Sequence, residues 1–482
     1  MSAKTQTPSP PHRLGIFSLV IIAAAFVISI RNLPMMAEAG LQMIFFAVIA
    51  VIAFLIPVAL VAAELATGWP KEGGVYVWVK EAFGDRWGFV AVWLLWFQMV
   101  IGMVMVLSFV GGVLAYAIYP SLAQSKLFII GIIIAVYWGA TFLNLRGMKA
   151  SSMISTVCLI SGVFFPAALI ISLGIAYLFL GDPVQMNLAF SVKNMIPDLT
   201  KLDNVVMLAS FIFAFSGMEL SAVHAAEVNN PKRNYPIAIF MASILLVAIS
   251  IIGAVSVAIV VPQSKISLVS GIMEAFEVFF SQFRLKWFTP VIAIFAGVGA
   301  VGQVSTWIVG PVKCLLATAK NGDIPPFFQK VNRNGIPKRL LFVQASLVSL
   351  FALLYGLIPK INTAFMMLLA LTILLYLCMY ILMFMSAIRL RYKEPDVFRA
   401  YKVPGGKIGM WIVAGIGFLT SIATFFIGLF PPSELKVTNT KDYVKFMIIG
   451  VLVMLVIPII IFQLRRPSWK LAVKQDQTNK PQ

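Results

Sequence analysis

Apolar runs of roughly twenty to thirty residues recur along the whole chain, separated by short polar stretches. About twenty apolar residues suffice for a helix to cross a bilayer. Twelve such runs stand out, at 15–39, 42–66, 87–117, 126–145, 152–180, 205–226, 236–261, 287–319, 339–358, 362–390, 408–430 and 443–464. They predict an all-α integral membrane protein with twelve transmembrane helices in one domain spanning 15–464. Polar tails at 1–14 and 465–482 flank it. The first run has no small-residue cleavage site and a second run follows it directly, so it reads as a retained helix rather than a signal peptide.

Composition settles the solvent. The 482 residues are 61% hydrophobic and only 11% charged, outside the range of soluble globular chains. The formal charge of +19 invites a nucleic-acid reading, but the basic residues are scattered over many loops. Numbering the spans from a cytoplasmic amino end and counting residues at span edges with the adjoining loop, 25 of the 37 Lys and Arg residues fall on cytoplasmic segments, 10 on external ones, and Arg31 and Lys313 deeper within spans. That bias follows the positive-inside rule and suits loops beside anionic lipid. It predicts a multi-pass protein of the inner (cytoplasmic) membrane with both termini in the cytoplasm and no nucleic-acid partner.

Catalytic and metal chemistry find no foothold. There is no metal-ligand spacing, no nucleophile elbow and no phosphate loop, and no cofactor is implied. Cys158, Cys314 and Cys378 lie in three separate spans and read as packing residues. The expected partners are small molecules and the lipid bilayer; the chain alone neither requires nor forbids a homodimer.

Two spans depart from the apolar pattern. The first contains "ISIRNLPMMAEAG" at 28–40, where Arg31, Asn32, Pro34 and Glu38 sit at membrane depth. In hydrocarbon an unpaired backbone group costs several kcal/mol, so a helix breaks only where protein or a water-lined cavity satisfies it. The sixth span contains "FAFSGMELSAVHAAE" at 213–227, in which Ser216-Gly217 weaken the helix and Glu219 is ionisable. Breaks five spans apart predict a five-plus-five inverted repeat, about 15–180 and 205–390, followed by two further helices at 408–464. The substrate site would lie where broken helices 1 and 6 meet at the midplane. There, unwound N–H and C=O groups can hold a zwitterion.

The chain also resembles the amino acid–polyamine–organocation transporters, most closely the bacterial glutamate/γ-aminobutyrate antiporters. The resemblance runs along nearly the whole length. It rests on "AAELAT" (62–67), "KEGGVYVWV" (71–79), "GMELSAVHAAEVNNPKRNYPIA" (217–238), "STWIVGP" (305–311), "ATAKNGDIPPFFQKVNRNGIP" (317–337) and "YKVPGGKIG" (401–409). It implies a LeuT-like fold with substrate bound at Ile28, Ser29, Ile30 and Arg31 of helix 1 and Phe213, Ala214 and Phe215 of helix 6. By the same resemblance Phe213 closes over substrate, Trp307 lies beneath it, and Glu219 is the helix-6 glutamate.

Departures from the family bear on specificity. The helix-1 break carries "IRNLP" in place of aromatic and acidic residues, and Gln303 stands where relatives have a glutamate on helix 8. Both changes make the site more positive and favour an anionic or neutral amino acid. Helix 5 has no lysine of the kind that mimics sodium in some proton-coupled relatives, and the short carboxy-terminal tail leads to the expectation that the plug of others is absent.

Arg31 either serves the pathway or braces the bundle through Glu38 or Glu219. Glu219 and His224 are coupling or gating candidates, with structural roles as their alternatives. Glu64 and Lys313, near helix ends, read as snorkelling side chains. The function expected is amino acid antiport by alternating access. A proton- or sodium-coupled symporter, for which Ser305 and Thr306 would supply oxygen ligands, remains open, and behind it a channel or substrate sensor.

Overall fold

The computed structural model describes residues 15–470 except 18, 21–26, 72, 147–159, 190, 221–228, 359 and 432–438. Among these, every regular element is helical. In chain order they include α1 (Asn32–Glu38), α2 (Gly40–Gly68), α3 (Val75–Phe83), α4 (Asp85–Ile118), α5 (Lys126–Leu145), α6 (Ile160–Phe179) and α7 (Leu202–Ala214). There follow α8 (Pro231–Ala258), α9 (Gly271–Gln282), α10 (Thr289–Asn321), α11 (Lys338–Leu357), α12 (Ile361–Lys393), α13 (Gly406–Ile427) and α14 (Thr440–Gln463). All but α1, α3, α7 and α9 are long and apolar enough to cross a membrane, which makes ten candidate spans among the described residues.

The other two expected spans, 15–39 and 205–226, contain backbone outside helix. Val27 is helical, Ile28 and Ser29 have no regular structure, Ile30 and Arg31 form a turn, and α1 begins at Asn32. On the sixth, α7 ends at Ala214, Phe215 to Gly217 leave the helix, and one 3₁₀ turn covers Met218 to Leu220. Gly217 has φ +102°, a conformation that a side chain disfavours.

The core is built around α4, whose 34 residues span about 50 Å at 1.5 Å each. Its apolar residues run round the whole circumference and are mostly buried, as expected of a helix surrounded by others. It packs on α3, α5, α10 and α12.

Polar side chains tie α4, α5, α10 and α11 into one group. Trp96 of α4 donates to Gln344 of α11, which donates to Tyr137 of α5. Trp138 of α5 donates to Ser349 of α11 at 3.0 Å, and Asn144 of α5 to Ser305 of α10 at 3.2 Å. In a medium without water such bonds have no solvent competitor.

Two helices carry π turns, α2 at Val51–Leu55 and α6 at Ile160–Phe164. The first places Phe54 edge-on to Tyr380 of α12, with ring centroids 4.9 Å apart. The second brings Gly162 against Gly299 of α10 so closely that a Cβ on Gly162 would stand 2.2 Å from the Gly299 Cα. Small residues are what permit backbones to meet in this way.

Glu64 does not snorkel. It is 1% exposed and receives both the Nε and an NH2 bond of Arg391, while the Val403 N–H donates to it at 2.7 Å. The α2 end is thereby clamped to the α12 end and the loop beyond it. Burial and a bidentate partner override position along the helix.

Candidate functional site

The turn between Val27 and α1 leaves backbone groups outside any helical ladder, and one is satisfied from α10. Gln303 Nε2 donates to the Ile28 carbonyl at 3.2 Å. Asn32 and Leu33 begin α1 by donating to the Ser29 and Ile30 carbonyls, at 3.1 and 3.2 Å. Ile28 and Ile30 are buried, each 3% exposed, and Gln303 is buried with them.

Arg31 is the unusual member. It is 9% exposed, yet it forms no ion pair among the described residues. Its guanidinium lies 5.8 Å from the ring centroid of Trp307 on α10, within the range of a cation–π contact. Neither Glu38 nor Glu219 pairs with it, so the bracing role has no contact to act through. A buried guanidinium keeps its charge and five donors, and leaving them without an anion is costly.

Ser29, Ile30, Arg31 and Gln303 share one narrow, partly open crevice with Phe109 of α4 and Gly162 of α6, too small to hold a water molecule. Trp307 does not line this crevice and adjoins it through the Arg31 guanidinium. Phe213, Ala214 and Phe215 do not line the crevice. Phe215 and Ala214 are buried, Phe213 is half-buried, and the Phe213 carbonyl accepts from Ser216 Oγ at 2.7 Å.

Glu219 is held elsewhere, on α12. Its carboxylate accepts from the hydroxyls of Tyr376 and Tyr380, the latter at 2.6 Å, and the Gly217 N–H donates to the Tyr380 hydroxyl at 3.0 Å. Two tyrosines four residues apart share one helix face, and their rings stack at 4.6 Å. Sequence reasoning missed both; two tyrosines at helical spacing in an apolar span were the available signal. His224 and Cys158 lie outside the described residues, as does the side chain of Thr306. Ser305 is engaged by Asn144, and Lys313 is exposed. No group of three His, Cys, Asp or Glu suited to a metal occurs among the described residues.

Among the described residues the site offers a fixed cation, an amide and backbone that has left the helix, groups suited to binding.

A family model described as amino acid permease matches residues 14–462. An uncharacterized transporter of Legionella pneumophila is 38% identical over 464 residues, covering 96% of this chain and 97% of that one. Two glutamate/γ-aminobutyrate antiporters of Lactococcus lactis, from subspecies lactis and cremoris, are 34% and 35% identical over 460 residues. Each comparison covers 94% of this chain and 90% of the relative.

Proposed function

The chain belongs to the amino acid permease family, and from that premise we propose that it exchanges an acidic amino acid for a neutral one such as γ-aminobutyrate by alternating access. It is a membrane transporter and not an enzyme. The observation that carries the exchange pair is Arg31, a buried guanidinium that pairs with no carboxylate among the described residues, beside backbone that has left the helix. A substrate carboxylate supplies the missing anion through two parallel hydrogen bonds.

In this reading residues 28–31 and 215–217 are breaks in the first and sixth of twelve spans, and those spans open two inverted five-helix repeats. The end of the bundle bearing α3 faces the cytoplasm, together with both termini, in keeping with the distribution of basic residues. The polar ties among α4, α5, α10 and α11 mark the static part. The segments at 28–38 and 202–220 belong to the part that rocks, with α2 and α8 joined to each other by the Tyr235 hydroxyl, which donates to the Ala59 carbonyl at 3.3 Å.

Purified protein in liposomes tests the reading. Labelled L-glutamate should enter vesicles preloaded with γ-aminobutyrate or glutamate and scarcely enter empty ones. Equal entry into both, driven by an imposed proton or sodium gradient, would identify a symporter.

A further inference from the structure

An apolar cavity of about 350 Å³ lies at the end of the bundle bearing α3, within the size range of small-molecule sites, roughly 300–1,000 Å³. Trp93 and Trp96 of α4, Val343 and Leu347 of α11, Ile461 of α14 and Trp469 beyond α14 line it. Both α11 and α14 pack on α4, so the cavity sits in the cleft between them. Trp93 stands eight residues inside α4 and Leu347 nine inside α11, about 12 and 14 Å of helix. The cavity therefore runs from the helix ends into the apolar span.

Its cover is tied down. Gln329 Nε2 donates to the Ala319 carbonyl of α10 at 2.8 Å and also to the Trp469 carbonyl, which fastens the segment beyond α14 to the end of α10. Gly322, at φ +89°, admits this approach, because a Cβ there would come 2.8 Å from the Lys470 N. The Trp96 N–H is taken by Gln344, which leaves an apolar face toward the cavity. Water has little to hold it there, since a buried water needs about two to four polar partners.

Around the cavity the charge has one sign. Residues 324–347 carry four basic side chains and residues 455–470 carry three, with no Asp or Glu in either stretch. Arg465 is engaged by Asp85 and Asp323. Arg339 precedes the lining Leu340, and Arg466 follows the lining Leu464 by two positions. Neither pairs with a carboxylate among the described residues. Arg339 is steadied by donating to the Phe327 carbonyl at 2.9 Å, with its guanidinium over the Phe327 ring.

We propose that this cavity holds part of one acyl chain of an anionic phospholipid, whose phosphate lies against Arg339 and Arg466. An apolar cleft at a helix end meets acyl chains in a bilayer, and a guanidinium beside its mouth binds phosphate through paired hydrogen bonds. Such a lipid joins α4, α11 and α14 to the segment beyond them. The site is independent of what the protein exchanges and of which end faces the cytoplasm.

Native mass spectrometry of the full chain tests this, after incubation in detergent with equimolar dioleoyl phosphatidylglycerol and dioleoyl phosphatidylcholine. One phosphatidylglycerol should be retained in preference to phosphatidylcholine. Arg339→Gln and Arg466→Gln should each lower that preference about fivefold. Leu347→Trp, which fills the cavity, should remove the retained lipid, and Val343→Phe serves the same end should Leu347→Trp purify poorly. Glycerol 1-phosphate, a head group without chains, should not displace it. Retention unchanged in the filled variants, equal for the two lipids, or lost to glycerol 1-phosphate overturns the site. Retention that appears only after removal of residues 471–482 also overturns it, by making the chain's own end the occupant.

Discussion

Arg31 concentrates the specificity question in one side chain. Its fork can bind a carboxylate through two bonds, lysine keeps the charge without the fork, and methionine keeps neither. A hydrogen bond between charged groups contributes on the order of 1.5–3 kcal/mol, about tenfold to a hundredfold in affinity. Arg31→Met should therefore weaken L-glutamate binding by that factor while changing L-glutamine much less, with Arg31→Lys between them. Calorimetric titration of both ligands against both variants checks this, and equal losses for acid and amide would sink it. Arg31 was conspicuous in sequence because a charge at membrane depth is rare. Tyr376 and Tyr380 were not, since tyrosines in an apolar span carry no mark of which acid they will meet.

Between helices the decisive contact is the buried clamp of Glu64 with Arg391, supported by Arg399 at 3.5 Å. It joins the end of α2 to the end of α12 across 327 positions of sequence. Removing one member of a buried pair typically costs 3–5 kcal/mol, while replacing both with apolar residues is often close to neutral. Glu64→Gln strands both arginines and should lower the unfolding temperature substantially. Glu64→Leu combined with Arg391→Leu should recover part of that loss, with Arg399 still lacking its partner. Thermal unfolding of detergent-purified variants measures the difference, and a double variant no more stable than Glu64→Gln would contradict the argument. The α6–α10 crossing follows the same logic of proximity: Gly162 and Gly299 are unremarkable in sequence and become significant only because they meet.

For the molecule as a whole, one titratable cluster joins four parts of the chain at the end bearing α3. Asp323, fully buried, accepts from Tyr76 of α3 at 2.9 Å and from Asn321, and lies 3.4 Å from Arg465 beyond α14. Lys80 bonds Asn321 and pairs with Asp85 of α4, which is 3.9 Å from Arg465. Burial raises the Asp323 carboxyl above the ordinary aspartate value; Tyr76 and Asn321 pull it down, the Asp85 charge pushes it up, and Arg465 lowers it. A raised value means that the folded protein holds the proton more tightly than the unfolded chain. The resulting stability is fully present below the ordinary aspartate value and lost as pH rises through the raised one. The unfolding temperature of the parent relative to Asp323→Asn should accordingly be highest in acid and decline as pH rises across that window. A difference that stays flat or grows with pH would count against it.

What the sequence by itself determined was the solvent and the local disposition of the chain. Long apolar runs need a bilayer because their surface cannot be hidden within a chain so poor in charge. The tendency to leave the helix near Ser29 and Pro34, and again at Ser216-Gly217, is a property of neighbouring residues and can be read without a fold. The tertiary structure alone decided which polar groups meet: Glu64 with Arg391, Glu219 with Tyr376 and Tyr380, Gln303 with the Ile28 carbonyl. It also decided that Arg31 meets no carboxylate among the described residues. The reason is physical. Hydrophobicity and helix propensity act over a few residues, whereas a contact between residues hundreds of positions apart depends on the packing of several helices, to which no local spacing gives access.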